Sequence, residues 1–444
     1  MLARSPLRIL SIAAVALLLC GGLLPTASAS DPGLVLVGYA PGPAPASLGS
    51  LGAVLASDAS LGIAELRVAD VAAALDSLGR DPAIQFAQRE GAVRAESVAA
   101  SGTGWDSSRW DSSRWDSSRW DSSRWDALTW QSSRWDSSRW DSSRWDSSRW
   151  DSSRWDGSTT TADPLLRYQW GLADMNVPQA WAVDMGRMKK TLCVLDSGVD
   201  YTHPDLAPNM WSAKDGSHGW NFIAGTSDPM DDAGHGTHVA GVAAAAVANG
   251  IGTSGVANAR IMAVKVLDST GVGSETDLAR GIAWCADHGA NVISMSLSTD
   301  EDSKAVKRAA EYAQDKGALL IASAGNRGAC GDCPAYPAAY GGVIGVAALD
   351  MTRHHAEFSR AGKWVDVAAP GELIAGPYKD HLYALGTGTS QATALVSGVA
   401  LLGWDAHPKA SADAISEALR GSAQKVNGER EPDALAMLRA LRDG

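Results

Sequence analysis

The chain has 444 residues, enough for two or three domains of ordinary size. Hydrophobic residues make up 45% and charged residues 20%, which is typical of globular proteins and excludes a wholly disordered chain. The formal net charge of −12 gives no basic footprint for nucleic acid or an anionic membrane, so we expect neither as a partner. Tryptophan is unusual, because eleven of the 18 Trp residues lie within Trp105–Trp155.

The N-terminus is typical of an export signal. Two arginines precede the apolar run Ile9–Leu19, and Ala27–Ala29 forms a small-residue cleavage site. A transmembrane helix needs about 20 apolar residues, so this run is too short to be an anchor. We therefore expect residues 1–29 to be a signal peptide and the mature protein to be secreted. Lipid anchoring through Cys20 is the alternative, which the bulky Leu19 before it disfavours.

Residues 30–98 have the pattern of a small α+β domain. Leu34–Tyr39 is predicted as a strand, residues 68–78 as an amphipathic helix and residues 83–93 as an extended stretch. So short a unit buries little apolar surface by itself, so it should be marginally stable unless it docks on another domain.

Residues 99–162 contain a pentapeptide array, WDSSR, interrupted once at residues 125–134. A period of five matches neither a helix nor a strand, so the Trp side chains cannot line one face of either. Asp and Ser favour local turns over helix. The sequence leaves three interpretations open: a linker, an ordered ribbon of turns with Arg–Trp contacts, or a platform that binds a ligand.

Residues 163–444 alternate between apolar strands and helices. This alternation predicts a parallel sheet with helices on both faces, whose chemistry lies beyond the carboxyl ends of the strands. The predicted strands are 192–195, 261–266, 292–295, 318–322 and 343–347, and the predicted helices are 235–247, 276–287, 303–315, 390–402 and 412–419.

Four cysteines remain after the signal. Cys330 and Cys333 lie in a Gly/Asp/Pro-rich loop, which favours a local disulfide between them. The sequence alone leaves open whether this disulfide forms. A metal site would need a second such pair. Cys193 and Cys285 lie inside apolar runs, and we expect them to be buried as small hydrophobic residues.

Three polar residues lie at the ends of predicted strands and helices, in the chain order Asp, His, Ser. Asp196 ends the first strand of this region, His235 begins a helix of small residues, and Ser390 begins a later helix. A buried carboxylate can orient an imidazole, an imidazole can act as general base, and a serine hydroxyl can attack a carbonyl. Asn326 follows another strand and could donate a hydrogen bond to an oxyanion.

Each of these residues also has a simpler interpretation. An Asp after a strand is a common turn residue, and a Ser at a helix N-terminus is a common cap. His235 and His238 could bind a metal, but the HExxH pattern of zinc proteases is absent. The chain order Asp, His, Ser, however, is the order known from subtilisin.

These motifs make the chain similar to the subtilisin-like serine proteases, the subtilases, and to their thermitase-like branch in particular. The resemblance covers residues 163–440 and includes Gln169–Leu172 and His203–Leu206. It implies a three-layer α/β sandwich with a mostly parallel central sheet, preceded by an inhibitory propeptide at residues 30–98. It further implies that Asp196 orients the base, His235 is the base, Ser390 is the nucleophile and Asn326 stabilises the oxyanion.

The resemblance also implies where an extended substrate binds, between two edge strands. The implied substrate-binding residues are Gly271, Val272, Gly273, Ser296, Leu297, Ser298 and Gly325.

Three features depart from the family pattern. Gln391 and Ala394 replace the usual Met and Pro after the nucleophile, from which we expect altered packing. Ser298 replaces a Gly, which should narrow the primary specificity pocket.

The third departure is the loop 249–252, which is about one residue short where relatives bind calcium. Asp205 matches a calcium carboxylate of the family, but one carboxylate is not a site of six to eight oxygens. No cofactor is required, and a structural calcium ion is the one that the resemblance suggests.

We therefore expect a secreted, monomeric serine endopeptidase that is made as a self-processing zymogen and acts on polypeptides. The alternative is a surface-binding or adhesion protein that uses the Trp-rich array, with the protease fold serving only self-processing. An inactive homologue is disfavoured by the intact set of four residues.

Overall fold

A computed structural model of the protein describes residues 33–96, 163–330 and 332–443. The predicted signal peptide at residues 1–29 and the pentapeptide array at residues 99–162 lie outside the described residues. The described residues form a small unit, residues 33–96, and a large unit, residues 163–443.

The small unit is a four-stranded antiparallel sheet with helices packed on it, in the strand order β2-β3-β1-β4. A fifth strand, β5, leaves this sheet and pairs with the large unit. The elements are β1 (Leu34–Tyr39), α1 (Leu48–Leu51), β2 (Gly52–Asp58), β3 (Ile63–Val68), α2 (Val71–Arg80), β4 (Ile84–Arg89) and β5 (Ala92–Ala95).

Two predictions for the small unit need correction. The helix does not begin at residue 68, because Val68 ends β3 and Asp70 caps α2 by accepting a hydrogen bond from Ala73 N. The extended stretch at residues 83–93 is broken at Glu90 and Gly91 into two strands that belong to different sheets. The strand predicted at Leu34–Tyr39 is confirmed.

The large unit is built on a seven-stranded parallel sheet, in the order β14-β13-β12-β10-β6-β8-β7. Its strands are β6 (Thr191–Asp196), β7 (Gly219–Asn221), β8 (Arg260–Lys265), β9 (Val272–Ser274), β10 (Val292–Met295), β11 (Leu297–Ser298), β12 (Leu319–Ser323), β13 (Val343–Leu349), β14 (Val367–Pro370), β15 (Ile374–Tyr378), β16 (Leu382–Gly386), β17 (Gln424–Val426) and β18 (Glu429–Glu431). Its α-helices are α3 (Trp170–Asp174), α4 (Val177–Trp181), α5 (His235–Ala244), α6 (Glu275–Asp287), α7 (Lys304–Asp315), α8 (Thr389–Ala406), α9 (Ala412–Gly421) and α10 (Ala434–Asp443).

Alternate residues of the sheet strands point into two separate cores. Val194 of β6 faces the core that contains α5 and α8, whereas Leu195 faces the core that contains α6 and α7. This is the predicted three-layer α/β fold. The predicted helices are present, but α5 ends at Ala244 rather than at residue 247, because Ala245 has an extended ψ of 151°.

The cysteines form two disulfides. Cys193 of β6 is joined to Cys285 of α6, and Cys330 is joined to Cys333. The expectation that Cys193 and Cys285 are merely buried hydrophobic residues is therefore wrong, although both are buried. The bridge ties β6, an interior strand of the sheet, to the helix α6 that covers it.

Candidate active site

Asp196 and His235 meet at the carboxyl end of the central sheet. Asp196 ends β6 and is fully buried, and its Oδ1 accepts a 2.7 Å hydrogen bond from His235 Nδ1. His235 begins α5 directly after Gly234, where φ is +96° and a Cβ atom would collide with the ring of Tyr378. Because Nδ1 is engaged by Asp196, His235 Nε2 is the atom that can take up a proton.

A buried hydrogen-bond network holds the two residues in place. Ser197 Oγ donates to Asp231 at 2.8 Å and accepts from Gly236 N at 3.0 Å. Asp231 also accepts a 2.9 Å hydrogen bond from Thr237 N. The network therefore fixes the start of α5 relative to the end of β6. The sequence analysis missed Asp231, which lies in a loop without a recognisable motif.

The pKa of His235 is raised above its ordinary value. Burial lowers the pKa of the imidazole, but the charge of Asp196 and its hydrogen bond outweigh burial, with smaller contributions from Asp231 and Glu96. The imidazolium form is thus stabilised, as required of a group that must hold a proton during a reaction.

Ser390 lies at the N-terminus of the long helix α8. Its Oγ lies within hydrogen-bond distance of two main-chain carbonyls, those of Glu96 and Ser296, the second at 3.1 Å, and its single hydrogen can be donated to either. His235 Nε2 is buried and has no hydrogen-bond partner among the described residues. The hydroxyl is therefore engaged by the end of the small unit rather than by the imidazole.

The side-chain amide of Asn326 is held through its oxygen, while its nitrogen has no hydrogen-bond partner among the described residues. Its Oδ1 accepts hydrogen bonds of 2.9 Å from both the N and the Oγ1 atoms of Thr389, whereas its Nδ2 is buried and unpartnered among the described residues. A Cβ atom on Gly388 would lie 2.6 Å from the carbonyl oxygen of Glu96 and 3.0 Å from Asn326 Nδ2. The unpaired amide hydrogens thus lie near the carbonyl that Ser390 contacts.

The predicted substrate strands hold β5 between them. β5 is antiparallel to β9 on one side and to β11 on the other. Ala95 N donates to Gly271 O at 2.9 Å, and Glu96 N donates to Ser296 O at 3.0 Å. The predicted residues that pair with or directly flank β5 are Gly271, Val272, Gly273, Ser296, Leu297 and Ser298.

The remaining predicted substrate residue, Gly325, lies next to Asn326. Its N–H donates to Thr389 Oγ1 at 3.2 Å, and a Cβ atom there would lie 3.1 Å from Arg360 Nε. The carboxylate of Glu96 accepts a 2.7 Å hydrogen bond from Asn326 N. The sequence analysis missed Glu96 and Arg360, because neither belongs to a motif.

His238 is a structural residue in this geometry. Its Nε2 faces the carbonyl oxygens of Ile374 and Ala384 at 3.1 and 3.3 Å. Burial, together with the charge of His235, lowers the pKa of His238 to about 4. Gln391, which stands where the family usually has Met, packs against His238, and its Nε2 lies 3.4 Å from His238 Nδ1. A neutral ring donating to carbonyls does not fit a metal ligand.

The surroundings of Asp205 do not fit a calcium ion. Its Oδ2 accepts a hydrogen bond from Thr253 N at 2.9 Å, and its Oδ1 accepts one from Asn249 Nδ2 at 3.2 Å. Burial raises the pKa of Asp205 to about 6. Calcium needs six to eight oxygen ligands, whereas the contacts of this carboxylate are hydrogen bonds donated by Thr253, Asn249 and Tyr383. Within residues 33–96, 163–330 and 332–443, no three His, Cys, Asp or Glu side chains form a group that could hold a metal.

The parallel α/β fold and this constellation define a serine-type peptidase. The sequence matches the Subtilase family, peptidase S8, over residues 188–436. It is 41% identical to thermitase from Thermoactinomyces vulgaris over 261 residues, which is 59% of this chain and 90% of thermitase. The chain belongs to the subtilase family and is a serine-type endopeptidase, as predicted.

Two further relatives extend the comparison. A thermophilic serine proteinase from Bacillus sp. (strain AK1) is 40% identical over 262 residues, which is 59% of this chain and 63% of that protein. The minor extracellular protease Epr from Bacillus subtilis (strain 168) is 40% identical over 226 residues, which is 51% of this chain and 33% of Epr. No helix in the described parts of the chain is long and apolar enough to cross a membrane.

Proposed function

We propose that the chain is made as an exported precursor whose residues 92–96 occupy the substrate cleft of their own protease until the bond between Glu96 and Ser97 is cut. One observation carries the proposal: the carbonyl of Glu96 accepts a hydrogen bond from Ser390 Oγ while β5 fills the space between β9 and β11. Export is supported by the signal-like N-terminus and by the relative that is named as extracellular.

The first half of the reaction forms an acyl-enzyme. The Ser390 hydroxyl turns its hydrogen from the Glu96 carbonyl to His235 Nε2 and gives up that proton as Oγ attacks the carbonyl carbon of Glu96. The carbonyl oxygen becomes an oxyanion that accepts a hydrogen bond from Asn326 Nδ2. The C–N bond then breaks as His235 returns the proton to the leaving amine. Asp196 keeps the imidazole oriented and stabilises its charge throughout.

The second half releases the acyl group. Water attacks the ester while His235 Nε2 takes up one of its protons, and the C–O bond to Ser390 breaks as that proton returns to Oγ. A new carboxylate leaves and the free enzyme is restored. Other polypeptides would enter the same cleft, because pairing through the main chain accepts most sequences.

The intact mass of the secreted wild type beside that of Ser390→Ala tests the proposal. We expect a wild type that begins at residue 97 or later and a variant that retains residues 30–96. Ser212→Ala, which replaces an exposed serine, is the matched control and should mature normally. Ser390→Ala that is shortened at the same bond in a host without proteases would contradict self-cleavage. The surface-binding alternative depends on residues 99–162, which lie outside the described residues.

A further inference from the structure

The side chain of Glu96 enters a pocket beside the catalytic groups. Its Oε1 accepts a hydrogen bond from Ser298 Oγ, and its Oε2 accepts the 2.7 Å hydrogen bond from the main-chain N of Asn326. Ser298 stands where the family usually has Gly. Its hydroxyl therefore does more than narrow the pocket, because it donates to the side chain that the pocket holds.

Two arginines add positive charge next to this carboxylate. Arg360 is only 1% exposed, and its Nη2 contacts Asp300, which Arg327 Nη1 also contacts. Both arginine charges act on the ionisation of Glu96. Because one aspartate faces two guanidinium groups, the trio has a net charge of about +1, opposite to that of a bound carboxylate.

These groups offset part of the cost of burying an acidic side chain. Burial raises the pKa of Glu96 and outweighs the hydrogen bonds from Ser298 and Asn326 and the charges of Arg360 and Arg327, which lower it. An apolar side chain in this pocket would leave the Asn326 N–H and the Ser298 hydroxyl without those partners, and an unpaired buried donor is costly.

We propose that the primary specificity pocket of this protease selects glutamate on the carbonyl side of the bond that is cut, with Ser298, Arg327 and Arg360 determining that preference. The inference rests on the proposed function, because it takes residues 92–96 as a substrate held before cleavage. Aspartate is one methylene too short to reach both donors, and lysine would be repelled by the arginines.

The test uses mature wild-type protease and fluorogenic peptides Ala-Val-Arg-Ala-X, which reproduce residues 92–95 before a variable residue X. At pH 7 we expect kcat/KM for X = Glu to exceed that for Leu, Phe, Asp and Lys by about ten- to a hundred-fold, the usual effect of losing charge-assisted hydrogen bonds. Gln, which keeps the length but not the charge, should fall between Glu and Leu.

Pocket variants connect the preference to the named residues. Ser298→Ala and Arg327→Gln should each lower the Glu-to-Leu ratio of kcat/KM, by about ten-fold and several-fold respectively. The side chain of Arg327 is 59% exposed, so its replacement does not threaten folding. Arg187→Gln, which removes a guanidinium that is 64% exposed and paired with Asp184, is the control and should leave the ratio unchanged.

The outcomes separate this inference from the proposed function. Cleavage of the Leu or Phe peptide as fast as the Glu peptide would overturn the glutamate preference while leaving the protease function intact. A Glu preference that survives both pocket variants would overturn the assignment of the pocket residues. A folded protein that cleaves neither these peptides nor denatured casein would overturn the proposed function itself.

Discussion

The two units of the chain bury their apolar residues differently. The large unit has a hydrophobic core on each face of its central sheet. The small unit has one core of its own, which includes Val35, Val37 and Leu78, but it turns Leu36 and Phe86 into the core that contains α6 and α7. One face of the small sheet is therefore completed only by the large unit.

This difference shows which unit depends on the other. Ten residues make up the buried cluster that belongs to the small unit alone. A domain of that size exposes a large share of its surface and is marginally stable without a partner. The large unit has enough sheet and helix to fold around its own cores. The small unit should therefore fold when it docks.

The largest effect should come from separating the small unit from the large unit. We expect a peptide of residues 33–96 to be largely unfolded alone at 25 °C, because the apolar face of its sheet would be in water. Circular dichroism should show folding when the mature protease is added in equal amount. Cooperative thermal unfolding of the isolated peptide would contradict the conclusion that the small unit needs the large unit to fold.

Removing the disulfide between β6 and α6 should destabilise the large unit strongly. Cys193 and Cys285 are 92 residues apart, a separation for which loop-closure entropy gives about 4–5 kcal/mol. We expect a Cys193→Ala, Cys285→Ala protein to lose a stability of that order in urea unfolding, measured in the Ser390→Ala background to prevent autolysis.

The second disulfide supplies the control for this measurement. Cys330 and Cys333 are 3 residues apart, so the same entropy argument gives less than about 2 kcal/mol. If replacing both of these cysteines by Ala cost as much as removing the longer bridge, loop closure would not explain the effect.

A single arginine should contribute strongly to the binding of the small unit by the large unit. Arg308 of α7 donates through Nη1 to the carbonyls of Tyr39, Leu61 and Gly62, at 2.9, 2.9 and 3.2 Å. Its guanidinium also lies 5.0 Å from the ring centre of Phe86. In Arg308→Ala, three carbonyls lose a charged donor.

We expect Arg308→Ala to weaken inhibition by added residues 33–96 by about a hundred-fold, measured as Ki against a fluorogenic peptide. Lys307→Ala, on the exposed side of the same helix, is the matched control and should change Ki less than about two-fold. Equal Ki values for the two variants would mean that Arg308 contributes nothing to binding and that the pairing of β5 and the apolar contacts hold the small unit.

The candidate site residues that the sequence pointed to are recognisable from their local position in the chain. Asp196 directly follows apolar strand residues, and His235 and Ser390 each begin a helix. The carboxyl ends of parallel strands share one edge of a sheet, so strand order alone brings such residues together. The two edge strands that hold β5 were likewise predictable from short motifs.

The parts that were missed depend on tertiary contacts between distant segments. Cys193 and Cys285 are paired because α6 crosses β6, which no local pattern records. Arg360 reaches the pocket of Glu96 from a segment without a motif. β2 was missed because Gly52–Asp58 lacks the alternation of a half-buried strand.

The last and smallest effect concerns pH and the contact at the start of α6. Glu90 is 3% exposed, and its two carboxylate oxygens accept from Thr276 N at 2.9 Å and from Thr276 Oγ1 at 2.8 Å. Burial raises the pKa of Glu90 to about 8, the bonds from Thr276 lower it, and the charges of Glu65 and Glu275 raise it. Burial likewise raises the pKa of Glu275 to about 7.

A group whose pKa is raised in the complex favours binding below its free pKa, and the contribution is lost as the pH rises through the bound pKa. For Glu90 the window therefore runs from about 4.5 in the free peptide to about 8 in the complex. We expect residues 33–96 to inhibit at least about ten-fold less tightly at pH 9 than at pH 6.

Glu90→Gln, which keeps the shape of the side chain but cannot ionise, should remove most of this pH dependence of inhibition. Asp76→Asn, on the exposed side of α2, should retain the wild-type slope. An unchanged slope in Glu90→Gln would mean that the pH dependence arises at another group of the interface, at Glu96, at Glu275 or at His235.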